Sequence, residues 1–508
     1  MLKDALARLS RHTVVYAAAG QLSRVASFVL LWFYTYHLTT QEYGVNELLT
    51  YGIAVLGYLA GINMTTAMAR HYFDSAEPRH RRLVVSTTLW TVLGASLLLG
   101  GALAMFAAPI GGLISDLPEV RPEMPALVLM TLGILVLQLL REVFWRYLQT
   151  EERSTAFAVS AVAKTVVEVS LQILLVGFLN RHLRGLFEAV LISEALAVTA
   201  LAVVLLPRLG LGFSPALFRQ LATYTLPLVP NGVLQFCLQY ADRYVLNELR
   251  GAGDVGLYGF AYKIGMIPNF LLLTPFLMIW YPFIFSVGDE ARQKDLIARI
   301  AAYFLAVVTA GVLLVSILAP ELVRLMAGQP EYRSAWPAVP FVCIGYWFWA
   351  AFQMAQTGFY IRKRTSTLPW LTGIAAAFNI GANYVLIPHY GWVAAAWVTG
   401  ATFLLLLVIT LRAVRPVFPV DFLWRRTLAC ALAAGVLLAV GLWVVPPDLG
   451  RLPAELRYGA GLPVGTVAVK LGLLGVWAGW MWFAWMTGEE RDGLRGLLAG
   501  LRRRPASG

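Results

Sequence analysis

Fourteen apolar stretches follow one another along the chain, joined by short polar connections. They cover residues 13–38, 45–66, 83–110, 125–149, 155–180, 185–207, 221–247, 257–285, 297–318, 336–361, 366–387, 390–413, 422–446 and 461–487. A hydrocarbon core ~30 Å thick asks for about 20 apolar residues in one helix. The stretches are continuous rather than alternating, which selects helices over the strands of a barrel. The pattern therefore predicts an all-α integral membrane protein with fourteen transmembrane helices. The longest polar connections, over 67–82, 111–124, 286–296, 319–335 and 447–460, leave no room for a water-soluble domain.

Composition agrees. Of 508 residues, 59% are hydrophobic and 13% charged, about half the charged share of a soluble domain. The net charge of +12 would point to nucleic acid in a soluble chain. Here the cations have a different address. Assigning connections by parity from a cytoplasmic N-terminus puts 27 of the 40 Lys and Arg on the cytoplasmic side, Arg141, Arg146, Arg153 and Arg208 among them. With cations near span ends counted on the side they flank, eight fall outside and five (Arg24, Lys164, Arg243, Lys263 and Lys470) remain within spans. This is the positive-inside bias, so both termini are expected in the cytoplasm and no nucleic-acid partner is implied. Cys237, Cys343 and Cys430 lie far apart within apolar spans and read as small buried hydrophobes. No His/Cys spacing suits a metal, and no cofactor is expected. The first stretch is too long for a signal peptide, and Leu2, Leu6 and Leu9 ahead of it suit a short amphipathic surface helix.

The chain also echoes itself. Gly20 precedes a Tyr43-Gly44 corner by 24 residues, and Gly232 precedes a Val255-Gly256 corner by 24. Arg153-Ser154-Thr155 opens one span and Arg364-Thr365-Ser366 another, with Glu168 and Asn379 each 15 residues beyond the arginine. Six helices repeated as six more form a common transporter plan, with the substrate cavity between the halves. The expected division is an N-lobe over residues 1–215, a C-lobe over 216–415, and an appended helix pair with a cytoplasmic tail over 416–508.

Ionisable side chains inside the spans are the candidate chemistry, because each costs roughly 2.5–3.5 kcal/mol when it faces lipid. Arg24 lies deep in the first span beside Gln21, and its planar fork suits a phosphate group in a cavity. Lys164 and Glu168 share one helix face and form either a self-neutralising pair or a proton- or ion-coupling site. Asn231, Gln235 and Gln239 recur every four residues, a polar stripe that either lines a cavity for sugars or bonds neighbouring helices. Asp242-Arg243 and Lys263 flank one outer corner, as an anchoring network or the outer part of an anion path. Glu188 falls near the outer interface, Glu194 lies deeper, and Lys470 is placed where a lysine can snorkel. Pro268, Pro275 and Pro282, spaced by seven, bend the eighth span and serve as hinges or static kinks.

Three segments carry a resemblance. Asp242-Arg243-Tyr244-Val245-Leu246 with Asp254-Val255-Gly256-Leu257-Tyr258-Gly259-Phe260-Ala261-Tyr262-Lys263 resembles the D-R-x-x-L, V-G-x-Y-x-x-A-x-K pattern of bacterial polysaccharide and oligosaccharide-lipid flippases. Leu38-Thr39-Thr40-Gln41-Glu42-Tyr43-Gly44 is similar to that family's L-T-x-x-E-Y-G corner. Asn383 through Ala396 matches its N-x-x-L-I-P-x-Y-G-x-x-G/A-A-A segment, with Ala394 where glycine is common. The family belongs to the multidrug/oligosaccharidyl-lipid/polysaccharide exporter superfamily.

The resemblance implies two six-helix lobes and movement of undecaprenyl-diphosphate-linked oligosaccharide from the cytoplasmic to the outer leaflet of the bacterial inner membrane. Further expected partners are polysaccharide assembly proteins, membrane lipids and a coupling proton or sodium ion. It places Arg24 where lipid-diphosphate flippases often carry a cavity arginine. The expected site is thus Arg24, Gln21, Lys164, Asn231, Gln235, Gln239, Arg243 and Lys263 for substrate, with Glu168 and Asp242 for ion coupling. The chain lacks a GxxxxGK[ST] loop, so a gradient or downstream consumption of the glycan is the expected drive. Two alternatives stand beside this reading. A cation-coupled multidrug antiporter would prefer an acidic cavity. A membrane-embedded polymerase or ligase would need a large outer loop and catalytic carboxylates, so an enzyme is not expected.

Overall fold

The computed structural model describes residues 28–492 apart from 62, 116–119, 444–456, 459–461 and 489. Arg24, Gln21 and the amphipathic segment 2–12 lie outside the described residues, as does most of the first span. Helix α1 covers residues 28–37. It is followed by α2 Thr40–Ala60, α3 Met64–His71, α4 Pro78–Ala104, α5 Ala107–Ile114 and α6 Met124–Thr150. Next come α7 Ser154–Gln172, extended by a π turn over Ile173–Phe178, α8 His182–Leu209, α9 Pro215–Thr225, α10 Val229–Arg250 and α11 Ala252–Gly265. The remaining helices are α12 Thr274–Ser286, α13 Glu290–Ile317, α14 Ala319–Met326, α15 Val339–Ala355, α16 Thr357–Ile361, α17 Leu368–Tyr390, α18 Trp392–Val414, α19 Trp424–Trp443 and α20 Val464–Trp480. Between α19 and α20, β1 Arg457–Tyr458 pairs antiparallel with β2 Leu462–Pro463.

Among the described residues, eleven helices are long and apolar enough to cross a membrane, or up to twelve if the pair α2 and α3, bent by 45°, is one span. The chain is a multi-pass membrane protein. Helix α10 has the length, at 22 residues, but carries Asp242, Arg243, Glu248 and Arg250 and falls below the apolarity of the others. Of the three prolines in the eighth span, Pro268 sits at a real interruption. Helix α11 ends at Gly265, and a π turn over Asn269–Leu273 leads into α12.

The chain forms two compact units. The first comprises Met1–Phe260, Met326–Tyr332 and Thr372–Ala395. Its core lies among α3, α4, α6, α8 and α9, where Val84, Leu139, Phe144, Leu205 and Leu221 meet. The second comprises Ala261–Leu325, Arg333–Leu371 and Ala396–Gly508. There α19 and α20 pack on α13 through Ala306, Leu313, Cys430, Ala434 and Trp477. Cys343 and Cys430 are buried and Cys237 half-buried, all as free thiols.

The internal echo has a backbone counterpart. Glu152 and Lys363, each just ahead of its arginine, adopt left-handed φ values of 55° and 54°. Arg153 N donates to Leu148 O at 2.8 Å, and Arg364 N donates to Phe359 O at 2.9 Å, the same step of five residues. Two helix-to-helix joints, one in each unit, thus share one local geometry.

Candidate functional site

The corner motif Leu38–Gly44 is built from its side chains upward. Thr39 accepts from Glu42 N while the Glu42 carboxylate accepts from Thr39 N, a reciprocal cap that starts α2. Gly44 and Gly256 then let two helices touch backbone to backbone. A Cβ on Gly44 would lie 1.8 Å from Ala252 O, and one on Gly256 would lie 1.8 Å from Thr40 O. Each glycine thus meets the carbonyl four residues before the other, so α2 and α11 cross with local two-fold character. No side chain fits there. Gly259 similarly faces the buried Glu47. The segment Met326–Tyr332 closes over the α1–α2 joint. Tyr332 donates through its hydroxyl to Leu38 O and Thr39 O, and Gly328 N donates to Thr35 Oγ1 at 3.0 Å.

Behind this corner, α10 lies along α2. Arg243 is fully buried, and its Nη1 donates to Asp242 Oδ1 at 2.8 Å and to Gln239 O at 3.1 Å. Its guanidinium lies 4.9–5.5 Å from the ring centroids of Tyr51, Tyr240 and Tyr258. A desolvated cation over such rings gains about 2 kcal/mol. Tyr258 donates to Asp242 Oδ2 at 2.6 Å, so the carboxylate answers a cation and a hydroxyl together. In this conformation Arg243 meets no solvent. The D-R motif fastens the corner here, and contact with a substrate would require the corner to open.

The rest of the α10 stripe behaves differently. Asn231, Gln235 and Gln239 are partly exposed, and their side-chain amides have no hydrogen-bond partner among the described residues. With Arg243 they recur every four residues, so the stripe grades from open amides to a buried cation. Such partly exposed amides need water or a ligand to satisfy them.

Lys164 and Glu168 belong to a second cluster in the first unit, on α7. Lys164 contacts Glu168 directly and Glu194 Oε1 at 3.1 Å. Glu194 also accepts from Arg141 Nε at 2.7 Å, and Arg141 lies 3.9 Å from the Trp145 ring centroid. Gln172 donates to Glu168 at 3.3 Å and accepts from the Tyr34 hydroxyl at 2.9 Å. The network thus links α6, α8, α7 and α1. Arg141, counted above with the cytoplasmic cations, is buried within α6 and belongs to this network. The reason is its partner Glu194, on a helix distant in sequence. Glu188 is clamped by Arg181 at 2.6 Å and Arg184 at 3.0 Å.

In the second unit Lys263 is half-buried on α11. Lys470 does not snorkel. It is fully buried and donates to Glu321 Oε1 at 2.6 Å, which ties α20 to α14. Sequence periodicity missed this pair because Glu321 falls in a polar connection between spans. Beyond the last apolar helix, Glu490 accepts from both Arg426 Nη1 at 2.9 Å and Nη2 at 2.6 Å, and from the Tyr303 hydroxyl. The Arg426 fork holds the Glu490 carboxyl well down, at about 2. Among the described residues no group of His, Cys, Asp and Glu could hold a metal ion.

This arrangement is that of a known transporter and flippase fold. The lipid II flippase MurJ, in an inward closed conformation, superposes with a TM-score of 0.75 at 13% identity, over 92% of this chain and 99% of that one. An inward-facing multidrug resistance MATE family transporter of the MOP superfamily gives 0.60 at 16% identity, over 80% and 95%. A MOP superfamily transporter from Pyrococcus furiosus gives 0.52 at 14%, over 84% and 96%. The fold is therefore shared with these solved structures. Residues 9–287 match the model of the family described as polysaccharide biosynthesis protein, and the chain belongs to that family. No curated protein matches the sequence.

Proposed function

We propose that the protein is a flippase that moves undecaprenyl-diphosphate-linked oligosaccharide from the cytoplasmic to the outer leaflet of the bacterial inner membrane. The observation that carries this reading is the partly exposed amide row Asn231, Gln235 and Gln239, without partners among the described residues. Sugar hydroxyls satisfy such amides, and lipid does not. The family match and the fold shared with a lipid II flippase support the same direction.

The full architecture belongs to the proposal: fourteen helices with cytoplasmic termini, lobes over 1–215 and 216–415, and an appended pair within 416–508. The first span and α10 complete the count. Arg24, with Gln21, receives the diphosphate. Asn231, Gln235 and Gln239 meet the glycan, while Lys164, Arg243 and Lys263 supply further positive charge. Glu168 and Asp242 take the coupling proton or sodium ion. Separation at the Gly44–Gly256 crossing would open the site outward, as alternating access requires. The step is transport rather than catalysis, upstream of polysaccharide assembly proteins.

The test is reconstitution into liposomes with a fluorescent undecaprenyl-diphosphate glycan, following access of a quencher to the outer leaflet. Faster exchange than in protein-free vesicles is expected, and Arg24→Ala should reduce it at least about tenfold by removing a charge-assisted bidentate contact. Exchange no faster than in empty vesicles, with efflux of cationic drugs instead, would favour the antiporter reading that the MATE likeness supports.

A further inference from the structure

We infer that the face between α7 and α8, which ends at Lys164, is a binding groove for an anionic phospholipid of the cytoplasmic leaflet. A cavity of about 750 Å³ runs along these two antiparallel helices. That is within the ~300–1,000 Å³ of ordinary ligand sites. Its floor is kept low by small residues, Ser160 and Ala163 on α7 and Ala197 and Ala200 on α8. Its rims are the exposed Val159, Leu196 and Val204.

The two ends differ in charge. Arg153, at the start of α7, and Arg208, at the end of α8, share one mouth. Both are exposed. Arg153 has only a loose contact with Glu151 at 3.7 Å, and no carboxylate pairs with Arg208 among the described residues. Lys164 marks the far end, but Glu168 and Glu194 already hold it. An anionic headgroup therefore belongs at the arginine mouth.

The length fits one leaflet. Lys164 lies eleven residues beyond Arg153, about 16 Å along the helix, and half a hydrocarbon core is ~15 Å. An acyl chain laid in the groove from a phosphate at the arginines would end near the lysine. Both arginines fall on the cytoplasmic side by the charge bias, where anionic lipids attract basic side chains. Both lipid classes carry the phosphodiester that the two arginines would hold, but two cations without a close carboxylate favour a headgroup of net negative charge and repel the ammonium of a zwitterionic one.

The experiment uses the full chain in detergent and native mass spectrometry with phosphatidylglycerol or phosphatidylcholine. Phosphatidylglycerol should bind preferentially. Arg153→Gln with Arg208→Gln should weaken it about 30-fold, as two surface cations contribute. Ala163→Trp, an exposed position, should fill the groove and block binding with the charge unchanged. Circular dichroism confirms that the variants remain helical. The assignment fails if phosphatidylcholine binds equally, if neither variant matters, or if glycerol 3-phosphate alone competes. It also fails if Ala163→Trp instead splits a lipid-independent dimer, because the groove would then hold a second copy.

Discussion

Lys164 and Lys470 look alike in the sequence: single cations about ten residues into an apolar helix. The structure gives them different neighbourhoods. Lys470 is sealed, fully buried on one carboxylate, and joins α20 to α14. Lys164 keeps 14% of its side chain exposed, sits between Glu168 and Glu194, and lines a groove. A sealed pair can only hold helices together. A charge shared between two carboxylates beside open space can change partners, which is what coupling to an ion would require. The lesson is that burial and the number of partners, not depth in the span, distinguish the two charges.

The sharpest way to break this contrast is to unpair the sealed lysine. Lys470→Met should destabilise the protein by about 3–5 kcal/mol by leaving Glu321 buried without its cation. Adding Glu321→Leu should recover most of that loss, since an apolar replacement of both partners is often neutral. Thermal unfolding followed by intrinsic tryptophan fluorescence reads both effects. If the single variant is as stable as the parent, Lys470 is not sealed.

Lys164→Met should cost less stability, about 1–3 kcal/mol, since Arg141 still answers Glu194. Transport, however, should fall much further than the stability loss explains. Equal losses in both would make the two lysines equivalent and remove Glu168 from the coupling proposal. The smallest effect concerns the half-buried clasp on Glu490. Its carboxyl is lowered to about 2 from an ordinary 4.5, so its contribution is complete above pH 4.5 and is lost as pH falls toward 2. Glu490→Gln should remove less than about 1 kcal/mol at neutral pH and flatten the acid limb of the stability profile. An unchanged acid limb would place the relevant titration elsewhere.

The corner shows how far local sequence reaches. Thr39 and Glu42 cap a helix through contacts three residues apart, so their pattern predicts the helix start directly. The Gly44 and Gly256 echo was visible as spacing, but that the two glycines face one another was not. The D-R motif was equally visible, yet nothing local said that Tyr51, on another helix, would enclose Arg243.

The sequence by itself determined that the chain lives in a bilayer as a bundle of helices, because each span satisfies its own backbone bonds and its apolar length matches the hydrocarbon core. It also determined the family, since short motifs write caps and close approaches that need particular residues in particular order. Only the tertiary structure decided which intramembrane charges are joined. Arg141 with Glu194 and Lys470 with Glu321 are separated by 53 and 149 residues. An ion pair depends on distance in space and on local exclusion of water, and neither has any periodicity along the chain.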